Sequence, residues 1–140
     1  MAAGTTPIFV ATPKAPQVRI STANTGRDGT GTLGTVCTAG SNGDFYRGVR
    51  IQPEVVVAAG DIVRLFRQAA GAGNYELIKE IWIPPMNPAA SAANACPIPP
   101  LEAVEWYPPT GITLAATDVL KASTDQGKTY LVELVGGGQY

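Results

Sequence analysis

The sequence predicts an all-β protein, a single-domain jelly-roll-like β-sandwich of about eight short antiparallel strands preceded by an extended N-terminal arm. Three observations carry that expectation. Apolar and polar residues alternate with a period of two in short runs, most cleanly at Tyr130, Val132 and Leu134 against Leu131, Glu133 and Val135. Turn formers separate the runs every eight to twelve residues, the spacing of a sandwich or barrel. Gly60-Asp61 and the β-branched run interrupt the one candidate helix, residues 54–70. The chain has 140 residues, enough to bury a core without disulfides.

The most conspicuous stretch is residues 113–138. It reads as a closing hairpin, with a strand at 119–123, turn formers at 124–128 and a second strand from Tyr130, Gly127 supplying positive φ. In chain order, residues 1–16 carry Pro7, Pro13 and Pro16 without periodicity and form the arm. The arm is either a frayed tail or lies on a neighbouring subunit, where Ile8, Phe9 and Val10 find cover. Residues 17–140 form the sandwich. Val18 and Ile20 alternate with Arg19, and a turn-rich segment, 24–34, leads to a strand at 35–38. Asn42-Gly43 signals a hairpin.

Residues 45–57 read as the longest strand, with Val49 and Ile51 on one face and Pro53 marking an edge, a bulge or a break. A helix over 54–70 is disfavoured by Gly60-Asp61 and the β-branched run. Val63 and Leu65 oppose Arg64 and Phe66; then, after a turn at 69–74, Leu77, Lys79, Ile81 and Ile83 share a face opposite Ile78, Glu80 and Trp82. Residues 84–100 hold six of the twelve prolines, a loop long enough to suggest a contact role for Met86 and Ile98. Strands at 101–107 and 112–114 complete the set. The Ala-Gly-Asp and Ala-Ala-Thr-Asp entries before strands are turn chemistry.

Composition narrows the function classes. The net charge is −1 with ten basic and eleven acidic residues scattered along the chain, so no nucleic-acid footprint is expected. Charged residues make up 15%, against about 25% in typical soluble domains, as befits a protein packed against others. No run is long enough for a membrane span, and residues 1–15 lack the pattern of an export signal. Cys37 and Cys96 are expected to be free thiols.

No catalytic, cofactor or metal site is predicted. There is no histidine, and no carboxylate or cysteine spacing suits a metal. Gly29, Gly31 and Gly34 match G-x-G-x-x-G, but a nucleotide site needs a strand before and a helix after, and the flanks here are turn and strand formers. Glu102 and Glu105 fall on opposite faces of a strand. Tyr75, Trp82, Trp106 and Tyr107 form a sugar-stacking platform only if they line one exposed face. Arg47, Arg50, Arg64 and Arg67 read as ion-paired or solvated rather than as a polyanion site.

The runs Val49-Arg50-Ile51, Gly60-Asp61-Ile62-Val63-Arg64-Leu65-Phe66, Leu77-Ile78-Lys79-Glu80-Ile81, Leu120-Lys121-Ala122-Ser123-Thr124 and Gly136-Gly137-Gly138 resemble small structural proteins of tailed-phage virions. The resemblance spans roughly residues 45–140. It implies a jelly-roll-like sandwich on the particle, a non-enzymatic protein that decorates or stabilises the capsid without cofactors. It implies homotrimers contacting the major capsid protein or neighbouring virion proteins, assembled in the host cytoplasm, with neither nucleic acid nor membrane as partner. Ile8, Phe9, Val10, Met86, Ile98, Trp82 and Trp106 are the expected interface residues. A tail or fibre-base component and a carbohydrate-binding module are the alternatives.

Overall fold

Twelve short strands follow one another in the computed structural model, which describes residues 10–86 and 101–140. They are β1 (Thr12–Lys14), β2 (Gln17–Ile20), β3 (Gly34–Thr38), β4 (Asp44–Tyr46), β5 (Gly48–Pro53) and β6 (Asp61–Gln68). The second half holds β7 (Glu76–Ile83), β8 (Val104–Trp106), β9 (Ile112–Leu114), β10 (Val119–Thr124), β11 (Tyr130–Val135) and β12 (Gly137–Gln139). Among the described residues there is no helix, and so none long and apolar enough to cross a membrane. The strands form three antiparallel sheets, each of four strands. The front sheet is ordered β2-β11-β5-β8, the back sheet β3-β10-β6-β7 and the end sheet β1-β12-β4-β9.

The pairings are nested. β6 pairs with β7, β5 with β8, β4 with β9, β3 with β10, β2 with β11 and β1 with β12. The chain is thus one long hairpin doubled at the β6–β7 turn, and further pairs β6·β10, β5·β11 and β4·β12 knit its limbs together. One apolar cluster fills the interior. Val49, Ile51, Tyr130, Val132 and Leu134 come from the front sheet and Val63, Leu65, Ile81, Ile83, Leu120 and Ala122 from the back. The expected alternation in β2, β5, β6 and β11 is what delivers them, since every second side chain points one way.

Pairing between neighbours in sequence differs from expectation at two places. β10 and β11 do not form a hairpin: they lie in different sheets. Both edges of β10 are taken by β3 and β6, and both edges of β11 by β2 and β5, so residues 125–129 cross from one sheet to the other. Asn42-Gly43 likewise bends the chain between sheets, Gly43 at φ 84°, because β4 is flanked by β12 and β9. Among the described residues the one hairpin between consecutive strands is β6–β7, closed by residues 69–75.

Strand β7 also departs from simple alternation. Lys79 pairs with Leu65 and Leu77 with Phe66, so a bulge at Ile78 puts Leu77 on the opposite face from Lys79. The long run at 45–57 breaks at Arg47, and β5 ends at Pro53. On the outer face of β6, Arg64 and Phe66 are buried just as Val63 and Leu65 are on the inner face, because the 23–34 loop lies over that outer face. Asn24 N–H donates to the Thr124 carbonyl, Arg64 donates to the Asn24 carbonyl, and Gly29 (φ 78°) sits against Tyr75. The G-x-G-x-x-G glycines therefore belong to a covering loop with no helix behind it.

Candidate interaction surfaces

Charged side chains on this fold are mostly occupied with one another. Buried Arg64 reaches Asp125 at 2.7 Å and Glu80 at 2.8 Å, and Glu80 also holds Arg27 at 2.8 Å. Arg19 clasps Glu54 through two hydrogen bonds, and Arg50 lies 3.9 Å from both Glu105 and Glu133. Arg67 stands 3.6 Å from Asp118. Arg50, Arg64 and Arg67 are thus each engaged with acidic side chains rather than lined up as one basic stripe. Among the described residues no group of three or more His, Cys, Asp or Glu is gathered closely enough to hold a metal ion.

Three buried aspartates open strands and hold turns: Asp44 at β4, Asp61 at β6 and Asp118 just before β10. Each follows a residue with positive φ, Gly43, Gly60 or Thr117. Asp118 accepts from the N–H groups of Ala70 and Ala115. Asp44 accepts from Gly40 N–H at 3.0 Å, the Tyr46 hydroxyl at 2.8 Å and Lys14 Nζ at 3.2 Å, with the Cys37 thiol at 3.5 Å. This cluster has the residue types of a nucleophilic site but works as a structural joint. Burial pushes the Cys37 thiol and the Tyr46 hydroxyl up, so both stay protonated, and Cys37 is free as expected. Cys96 lies outside the described residues.

Burial alone would push the Asp44 carboxyl up; the hydrogen bonds from Gly40, Tyr46 and Lys14, with the Lys14 charge, outweigh it and hold the group below the usual carboxylate range. Its folded pKa is below its unfolded one, so its stabilisation is fully present above the ordinary value near pH ~4 and fades as pH falls through the folded value. Acidification is therefore expected to free Lys14 and detach β1 first. Amide NMR from neutral pH to about pH 2 checks this. If β1 stays paired until the whole chain unfolds, the expectation fails.

Exposed apolar surface gathers at one sheet edge. Strand β7 ends the back sheet, and among the described residues no strand pairs with its outer side. Trp82 is 57% exposed there, its ring resting on Gly60, and the bulged Ile78 is exposed as well. The 55–60 segment runs beside the end of β7, since Val57 and Met86 exchange backbone hydrogen bonds. Val55 and Val56 in that segment are exposed. Such an edge offers apolar side chains together with backbone groups that, among the described residues, no strand pairs.

The other expected interface residues are placed differently. Met86 is 3% exposed, packed in the core, where its sulfur accepts from Glu102 N–H. Trp106 is half-buried against the core, with Lys79 Nζ 5.5 Å from its ring centroid. Val10 is half-buried beside Gly138. Ile8, Phe9 and Ile98 lie outside the described residues. The part of the arm at 12–14 forms β1, paired with β12 of the same chain. Sequence reasoning passed over Val55, Val56 and Ile78 as surface, because alternation predicts a face but not which face a neighbour covers.

The four aromatics do not share a platform. Tyr75 lies under Lys121, 4.7 Å from ammonium to ring centroid, and against Gly29. Trp106 faces Lys79, Trp82 covers Gly60 and Tyr107 covers Gly48. No family model, no curated protein and no solved structure matches this chain.

Proposed function

We propose that this chain is a non-enzymatic, jelly-roll-like structural protein of a tailed-phage virion, a homotrimer that decorates or stabilises the capsid by contacting the major capsid protein or its neighbours. The observation that carries the reading is the β7 edge, which no described strand covers and where Trp82, Ile78, Val55 and Val56 are exposed on a protein most of whose arginines are engaged in internal pairs. An apolar sheet edge left open is an aggregation hazard unless a partner covers it. The nested strand pairing supports the jelly-roll description, since a long hairpin rolled upon itself generates that topology. The scattered aromatics weigh against a glycan platform. A particle surface multiplies weak contacts by symmetry, so one modest edge per subunit suffices.

Two measurements test the proposal. Mass spectrometry of purified particles is expected to find the chain in many copies; its absence from particles defeats the virion reading. Light scattering is expected to give a trimer that Trp82→Ser weakens by roughly tenfold or more, the scale of one large apolar side chain at an interface. A trimer indifferent to Trp82→Ser moves the subunit contact away from β7.

A further inference from the structure

Two neighbouring strands bend together at one corner of the fold. β5 passes into β4 through Arg47, and its partner β11 passes into β12 through Gly136, so both leave the front sheet for the end sheet at the same level. Arg47 N–H donates to the Val135 carbonyl at 3.0 Å, and Gly136 takes φ 68°. The bend makes the surface concave. Glycines then seat the side chains that line it. The stem of Arg47 lies on Gly136, the Tyr107 ring on Gly48 and the Phe45 ring on Gly111, three places where a Cβ would collide. Gly111, at φ 69°, closes the turn that begins at Pro108, its N–H donating to the Pro108 carbonyl. The result is a groove of two adjoining hollows, about 300 Å³ and about 290 Å³, that share Arg47 and Tyr107.

Arg47 is electrostatically unlike the rest of the chain. The other five arginines each have a carboxylate within 4 Å, and Arg47 has none. All eleven acidic residues lie in the described part of the chain, so no carboxylate side chain outside it is left to serve. An exposed guanidinium in a hollow also lined by Phe45 and Tyr107 is suited to a planar carboxylate, which it holds through two parallel hydrogen bonds. Beside it, Tyr107 is 51% exposed, and its hydroxyl is held by Glu105 at 3.1 Å, which fixes the ring plane. Pro108 and Pro109 continue the wall. Flat aromatic and proline surfaces receive extended, proline-containing chain segments at low entropic cost. A sugar site needs several directed polar partners, and here only Arg47 and Thr110 offer side-chain groups not already engaged.

We propose that this groove docks an extended peptide segment of a partner protein, with a carboxylate on Arg47 and a proline or other flat apolar residue against Tyr107. The proposal deepens the assembly reading, on which its biological setting rests, by naming a second contact and its chemistry.

The test is an amide NMR titration of the full chain with the blocked peptide acetyl-Pro-Pro-Glu-Pro-Pro-amide, its glutamine counterpart and 3′-sialyllactose. The glutamate peptide is expected to shift the Arg47, Tyr107, Gly111 and Gly136 resonances saturably. The glutamine peptide should bind about fivefold more weakly, the worth of one exposed charge pair. Arg47→Gln should abolish that difference and Arg47→Lys retain part of it. Neither substitution removes a side-chain hydrogen bond or ion pair from the described fold, so an unchanged spectrum away from the groove checks folding. Equal affinity for the two peptides, no saturable shift, or tighter binding of sialyllactose at these resonances would overturn the proposal. The measurement uses the isolated chain. A groove that selects glutamate in a protein absent from particles would keep this inference and sink the virion reading, and the converse pattern would do the reverse.

Discussion

Replacing Asp61 by alanine is expected to destabilise the protein by about 3–5 kcal/mol, the scale reached when a buried polar group strands several partners at once. Its carboxylate is 2% exposed and each oxygen accepts twice. Oδ2 takes the Thr124 hydroxyl at 2.7 Å and the Tyr130 hydroxyl at 2.9 Å; Oδ1 takes the Ile62 N–H at 2.7 Å and the Gln126 N–H at 2.9 Å. These donors sit on both sides of the 125–129 crossing, so Asp61 pins the link between back and front sheets. Alanine would leave two buried hydroxyls and two part-buried amides without this acceptor. Tyr130→Phe removes one donor and should cost only about 1 kcal/mol. Urea unfolding of the two variants gives the comparison. An Asp61→Ala loss no larger than that of Tyr130→Phe would remove Asp61 from this role.

Gly137→Ala is expected to be nearly as damaging, at about 3 kcal/mol, the upper range for forcing added volume into a packed site. β12 lies between β1 and β4, and a Cβ on Gly137 would overlap the Phe45 carbonyl, which is backbone and cannot swing away. A Cβ on Gly138 would likewise overlap the Thr12 carbonyl. The strand must leave, and β1 leaves with it because β12 is its only strand partner among the described residues. Lys14 then parts from Asp44 and becomes accessible. Tryptic cleavage after Lys14 should accelerate strongly in Gly137→Ala while remaining slow in the parent chain. An unchanged cleavage rate would show that the end sheet tolerates the methyl group.

Both residues stand in the sequence as turn chemistry or strand punctuation, and neither announces its weight. An aspartate after glycine at the start of a β-branched strand marks a turn; that four donors converge on it depends on residues 62 to 130 being brought together. Three glycines after a strand suggest an ending, and only the close approach of β4 and β1 makes Gly137 and Gly138 obligatory. The apolar patch at Trp82 and Ile78 has the same character. Alternation placed Trp82 on one face of β7, while the bulge at Ile78 and the loop over Phe66 decided what stayed uncovered.

Local pattern alone determined that this chain is all-β, where most strands lie, and which side chains of β5, β6 and β11 enter the core. Those properties depend on a two-residue period and on the stereochemistry of Gly and Pro, which act within a few residues. Strand partnership was decided by the tertiary structure. A strand has two edges, and the sequence does not say which neighbours will occupy them. Residues 119–135 look like a hairpin, yet β3 and β6 fill the edges of β10 and β2 and β5 fill those of β11. The nested roll pairs both edges of β10 and of β11, and it brings Arg47 and Gly136 to one corner to make a groove that no stretch of sequence contains.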